Sequence, residues 1–153
     1  MKLAIQDIDI DPTIQIRRSN HEQTIQRYED SFDKLPPVDV FDTPDGLLLA
    51  DGFHRVAAAE RLGLTEIEAK VRKGSREDAL EHAVIANTKN ADPLAPDERD
   101  DGIRRLKQIH ANWPNTRIAE AMSISEITVR RVFQIDKVKK ATFRDSTRVE
   151  PSD

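Results

Sequence analysis

The 153-residue sequence has no cysteine, only one tryptophan and one tyrosine, and five glycines. Without cysteine, disulfide scaffolding, zinc–thiolate sites and cysteine nucleophiles are excluded. No apolar run approaches the roughly 20 residues that a bilayer-spanning helix needs. The opening Met1-Lys2-Leu3-Ala4-Ile5 meets Asp7, Asp9 and Asp11 before an apolar leader segment can form. No membrane partner is therefore expected, and a cytoplasmic location is. The chain does have 37% hydrophobic and 34% charged residues. That is enough apolar material for a core, in a length that suits one compact domain or two very small ones.

The net charge of −4 hides a segregation. Residues 1–98 carry a balance of −8, residues 99–140 a balance of +5, and residues 141–153 a balance of −1. A basic segment behind an acidic one suits a polyanion partner for the basic part, although lysines and arginines on a solvated helix face give the same count.

Patches at residues 3–8 and 14–16, broken by Asp11-Pro12, predict a strand with a turn. Ser19 with Glu22 forms a capping box. Ile25, Tyr28, Phe32 and Leu35 then recur at helical spacing, so a helix is expected up to Pro36-Pro37. A strand at 38–41, a turn at Thr43-Pro44-Asp45-Gly46 and a buried strand at 47–50 read as a hairpin. An alanine-rich helix at 54–62 stops at Gly63, a strand covers 67–71, and Ser75 with Asp78 caps a helix at 76–88. Asp92-Pro93-Leu94-Ala95-Pro96 is the candidate boundary. Beyond it only helices are expected, at 97–111, 116–122 and 125–138.

The last two of these helices, linked by Ser123-Ile124-Ser125, have helix-turn-helix spacing, as an ordinary helical hairpin also does. Ile118, Met122, Ile124, Val129 and Val132 suit the core between them. The outer face carries Ser125, Glu126, Thr128, Arg130 and Arg131, types that suit base edges and phosphates in a major groove. Arg117 and Lys137, with Lys139 and Lys140, add backbone contacts or simply a solvated cationic surface. Ser123 stands where the helix-turn-helix pattern favours glycine, and Trp113 reads as a core or hinge residue before Pro114.

The phrase Leu49-Ala50-Asp51-Gly52-Phe53-His54-Arg55 takes a buried strand through a glycine turn into a helix. Free backbone N–H groups and the positive end of the helix dipole make such a turn an anion site. Arg55 suits a phosphate, His54 a donor or proton shuttle, and Asp51 can pair with the arginine, orient the histidine or help hold a metal.

That loop, followed by Ala57-Ala58 and Leu62-Gly63, resembles the signature of the ParB/sulfiredoxin superfamily. Leu35-Pro36-Pro37-Val38-Asp39-Val40 and Ala83-Val84-Ile85-Ala86-Asn87 fit the same pattern, and the resemblance spans about residues 3–135. It implies an α+β chain: a mixed α/β nucleotide-binding domain over 1–92, an all-helical helix-turn-helix DNA-binding domain over 93–140, and a polar tail over 141–153. In that family the glycine turn cradles nucleotide phosphates. The resemblance assigns Gly52, Phe53, His54 and Arg55, with Asn87 and Lys89, to a nucleoside triphosphate, CTP or ATP with magnesium.

Phe53 stands where sulfiredoxins have cysteine, which excludes their reductase chemistry. CTP-switching partition proteins carry Glu-Asn-x-x-Arg, where this chain has Ala86, Asn87 and Asn90. The carboxylate for magnesium and the arginine for phosphate are thus missing, and Lys89 compensates in part. Thirteen residues follow Lys140, short for the dimerisation region of partition proteins. The expectation is a DNA-binding regulator or partition-related factor, acting as a homodimer because a single small module binds DNA modestly. Relatives of this fold resembling free-serine kinases give the alternative, a nucleotide-dependent phosphotransferase. There Asp51 and His54 are catalytic and Arg55 steadies the phosphoryl group, with Glu29 or Asp30 facing the same cleft. A metal-dependent nuclease needs convergent carboxylates, and Ala86 removes one of them.

Overall fold

The computed structural model describes residues 1–17, 22–88 and 94–146, with side chains in the last helix as far as residue 142. A five-stranded mixed sheet is built from β1 (Lys2–Ala4), β2 (Ile8–Asp9), β3 (Val38–Thr43), β4 (Gly46–Asp51) and β5 (Glu66–Lys73), in the order β1-β5-β3-β4-β2. β3 and β4 form the antiparallel hairpin, β5 lies parallel to β3, β1 is antiparallel to β5, and β2 is parallel to β4. Alternation decides the faces. Val38, Val40, Leu49, Ile67 and Ala69 point to one side, where Val56 and Ala59 of α2 (Phe53–Arg61) cover them, with α1 (Glu22–Asp30) packed against α2. Phe41, Leu48 and Ala50 point to the other, under Ala79 and Ala83 of α3 (Arg76–Thr88).

α4 (Pro96–Ile109), α5 (Asn115–Met122) and α6 (Glu126–Ser146) follow. Ile103, Leu106, Ile118, Met122, Val129 and Val132 make their core, and Ile16 and Val84 join it from the N-terminal half. The elements approach closely at Gly102, where an added Cβ would sit 2.9 Å from both Ile16 Cδ1 and Met122 Cε and 3.2 Å from Val84 Cγ1. α3 therefore serves both halves, covering the sheet on one side and packing against α4 and α5 on the other.

The sequence expectations for the strands and helices largely hold, and the exceptions have local causes. Residues 14–16 form no strand. Asp11 Oδ1 accepts from the backbone N–H and the hydroxyl of Thr13 at 2.9 and 2.7 Å, which turns the chain. Ile14 and Ile16 then act as buried pegs, one in the sheet core and one in the helical core. α1 stops at Asp30 instead of reaching Leu35, because the Ser31 hydroxyl donates to Arg27 O (3.0 Å) and a short 3-10 turn, Phe32–Lys34, follows. α6 runs on to Ser146, past the expected end at Val138. The expected cap at Ser19 lies outside the described residues. The Ser75–Asp78 box is formed as read, with Ser75 N–H donating to Asp78 Oδ2 (2.8 Å) and Asp78 N–H to Ser75 Oγ (3.2 Å). No helix among the described residues is long and apolar enough to cross a membrane.

Candidate functional site

At the end of β4, Gly52 caps α2 with φ 105° and ψ 27°, a left-handed conformation that glycine adopts without strain. The approach also forbids a side chain, since a Cβ there would sit 2.5 Å from Val38 Cγ1. Gly52 offers no side-chain acceptor, and the bond that closes the first turn runs from Val56 N–H to Gly52 O at 2.9 Å. Gly52 thus gives the first backbone donors of α2 no side-chain cap of its own, on a dipole that favours an anion.

Asp51 and Arg55 meet as the strand–turn–helix geometry requires. Arg55 Nη2 donates to Asp51 Oδ2 at 3.1 Å, while Nη1 donates to the carbonyls of Pro36 and Pro37 at 2.8 and 2.6 Å. Of the roles open to Asp51, the structure shows the pairing with arginine. Arg55 ties the 36–37 segment, the end of β4 and the start of α2 together, and its side chain is largely buried. The same guanidinium lines a cleft of about 440 Å³ with Phe32, Leu35, Leu64 and Ile67. Asp33, Glu66 and Glu68 also line that cleft, alongside Lys2, and their negative charge opposes a phosphate on that side.

Phe53 wedges between the two sheet cores, and His54 follows it in the first turn of α2. Asn87 is buried near the end of α3. Its Nδ2 donates to Ala83 O (2.7 Å), and its Oδ1 accepts from Arg17 Nε (2.9 Å). The sequence reading missed Arg17, whose partner lies 70 positions away. Lys89 lies outside the described residues. Among the described residues, no group of three or more His, Asp or Glu side chains converges as a metal site. The described site residues thus bring no carboxylate cluster to a magnesium ion, while the start of α2 has the backbone geometry that suits a phosphate.

The second cluster lies on α5 and α6. The link between them turns at Ser123 (φ 56°), the single non-glycine residue with positive φ among the described residues. Ile124 N–H returns to Ala119 O (3.0 Å) and Ser123 N–H to Glu120 O (3.2 Å), the bonding of a glycine-type helix stop made with serine. Ser125 caps α6, its Oγ accepting from Thr128 N–H (3.3 Å) and lying 2.9 Å from Thr128 Oγ1.

Arg130, Arg131 and Lys137 are exposed on α6. Arg130 reaches Glu126 only at 3.9 Å, an exposed pair of little strength. Gln134, which the sequence reading did not single out, falls on the same exposed face, four residues after Arg130 and three after Arg131. The opposite side of α6 is fixed to α4 by a forked pair, Arg104 Nε and Nη2 donating to the two oxygens of Asp136 at 3.0 Å each. These bonds hold the Asp136 carboxyl below its usual range and raise the Arg104 guanidinium above its own. Arg117, exposed in the first turn of α5, has its Cζ 4.3 Å from the centre of the Trp113 ring.

A mixed sheet with a strand–glycine–helix turn, followed by helices with a cationic outer face, is the arrangement to compare with known proteins. Residues 2–88, more than half of the chain, match the ParB N-terminal domain, and the chain belongs to that family. It is 32% identical over 96 residues to the "Streptomycin biosynthesis operon possible regulatory protein" of Streptomyces griseus, covering 63% of this chain and 27% of that one. It is 28% identical over 118 residues to the transcriptional regulator NovG of Streptomyces niveus, covering 77% and 36%. The chain therefore spans about a third or less of the length of these relatives.

The C-terminally truncated chromosome-partitioning protein ParB from Caulobacter crescentus, complexed to the centromeric parS site, superposes with a TM-score of 0.64 at 26% identity. The match covers 86% of this chain and 69% of that one. The same protein complexed with CTP-gamma-S gives a TM-score of 0.53 at 25% identity, covering 86% and 75%. Here the mixed α/β sheet and the helices behind it are the ParB-like arrangement expected from the loop at Asp51 to Arg55.

Proposed function

We propose that this chain is a sequence-reading DNA-binding module of a regulatory protein, in which α5 and α6 form a helix-turn-helix. The observation that carries the reading is the outer face of α6. Arg130, Arg131, Gln134 and Lys137 stand exposed together there, while Arg104 and Asp136 lock the opposite side to α4. Arginine suits guanine, glutamine suits adenine, and lysine neutralises phosphate. Ser125 and Thr128 close the N-terminus of α6 and can still reach a backbone oxygen. The division near residue 92 is then one of roles rather than of packing, because α3 contributes to both cores. The solved complex of the Caulobacter protein with parS and the regulator relatives support the reading. The direct test is selection of duplexes from a pool of genomic fragments, followed by footprinting. Protection of a defined sequence supports the reading, and no enrichment over bulk DNA overturns it.

The α/β half supports a second role, binding a nucleoside triphosphate through its phosphates at the start of α2. Backbone N–H groups after Gly52 and the His54 side chain are the contacts, and Arg55 and Asp51 brace the turn from behind. The glycine start of α2, with no side-chain cap from Gly52, and the Caulobacter complex with CTP-gamma-S favour this role. Asn87, tied to Arg17, is the contact that this reading expects from α3. CTP is the first nucleotide to try. Bound at 100 times its dissociation constant it raises folding stability by about 2.7 kcal/mol, several degrees in Tm. An unchanged Tm with CTP, ATP, ADP and GTP leaves the turn as scaffold.

A further inference from the structure

α4 ends at Ile109, and the chain turns through His110 and Trp113 before Pro114 opens α5. Within this turn the His110 and Trp113 rings are stacked, with centroids 3.8 Å apart and planes 3° from parallel. The Arg117 Cζ lies 4.3 Å from the centre of the same indole. The indole thus carries both an imidazole and a guanidinium against its π system. Two further groups lie against this turn. His110 Nε2 lies 3.1 Å from Glu81 Oε2 on α3, and Lys107 Nζ donates to Trp113 O at 2.9 Å.

Other arginines of the molecule lean on carboxylates: Arg55 on Asp51, Arg61 on Glu22, Arg72 on Asp39, Arg76 on Asp11 and Arg104 on Asp136. Arg117 leans on a π face, which orients a guanidinium without neutralising it. It is exposed and stands in the first turn of the helix that precedes the reading helix. We infer that Trp113 is a positioning residue that preorganises Arg117 as a clamp for a backbone phosphate of duplex DNA. Arg117 supplies affinity and register, and α6 supplies the sequence preference. The inference rests on the DNA reading above.

The test is a salt series of fluorescence-anisotropy titrations with a labelled duplex, on the full chain and on Arg117→Ala, Trp113→Ala, Trp113→Phe and the Trp113→Ala/Arg117→Ala double variant. Circular dichroism and Tm establish that each variant is folded. Arg117→Ala is expected to lower affinity about equally on all sequences and to reduce the slope of log K against log salt by about 0.9. Trp113→Ala should give part of that loss, Trp113→Phe should restore most of it by keeping a π face, and the double variant should bind no worse than Arg117→Ala alone. Trp113 is the one tryptophan of the chain, so its emission should change on adding duplex in the wild type. Additive losses in the double variant overturn the inference, as does a Trp113→Ala protein that is folded and binds like wild type. Duplex binding by the wild type with no effect of Arg117→Ala overturns it while leaving the DNA reading intact. A wild type that binds no duplex overturns both.

Discussion

Gly52 shows how much a single position can decide. Its positive φ and the 2.5 Å approach to Val38 Cγ1 act together. Gly52→Ala should cost about 2–4 kcal/mol from left-handed strain plus overpacking against β3, read by chemical denaturation. A loss below about 1 kcal/mol would mean that the turn relaxes freely. Ser123 is the converse case, a serine in a conformation that glycine holds more easily. Replacement by glycine relieves roughly 1–2 kcal/mol of strain and adds about 0.4–1 kcal/mol of unfolded-chain entropy. Ser123→Gly should therefore stabilise the protein by about 0.5–1 kcal/mol, and a lower Tm would contradict this account of the turn. Both positions were visible in the sequence, one as a glycine between strand and helix and the other as a serine where glycine is favoured. The partners of Arg55 were less visible: Asp51 was one of several options, and the carbonyls of Pro36 and Pro37 carry no side-chain signal.

At the scale of elements, short-range chemistry was legible and long-range pairing was not. The Ser75–Asp78 box, the stop at Gly63 and the hairpin at Thr43 to Gly46 depend on neighbours within a few residues, and the structure forms each of them. Residues 14–16 have the alternation of a strand because Ile14 and Ile16 are both buried, yet they enter different cores and join no ladder. Burial patterns alone do not distinguish these cases. The segment is held instead by Asp11, which accepts from Thr13 and from Arg76 at the start of α3. The Thr13 hydroxyl and Arg76 together lower the Asp11 pKa to about 2. Because the folded pKa is depressed, this stabilisation is complete above the ordinary carboxylate range and is lost as pH falls from about 4 towards 2. Thr13→Val should cost about 1 kcal/mol at neutral pH. The difference from wild type should shrink as pH falls from about 4 and be small by about pH 2 in urea melts, and a pH-independent difference would contradict the assignment.

For the whole molecule, the charge segregation along the sequence becomes a division of surfaces. The acidic half builds the sheet, and much of its positive charge is matched internally: Arg55, Arg61, Arg72 and Arg76 all meet carboxylates. The basic half leaves Arg117, Arg131 and Lys137 outward, with Arg130 only weakly held. The helical half was legible as three helices with a tight final turn. That α3 would belong to both cores was not, because Val84 reads equally well as a sheet-facing or a helix-facing residue. The central claim is that the outer face of α6 binds DNA. It is tested most directly by duplex affinity across a salt series for wild type and Arg130→Ala/Arg131→Ala. The account predicts a linear fall of log K with log salt for wild type and a loss of about tenfold or more in the double variant at fixed salt, with the fold retained. Equal affinity and equal slope for the two proteins would contradict it.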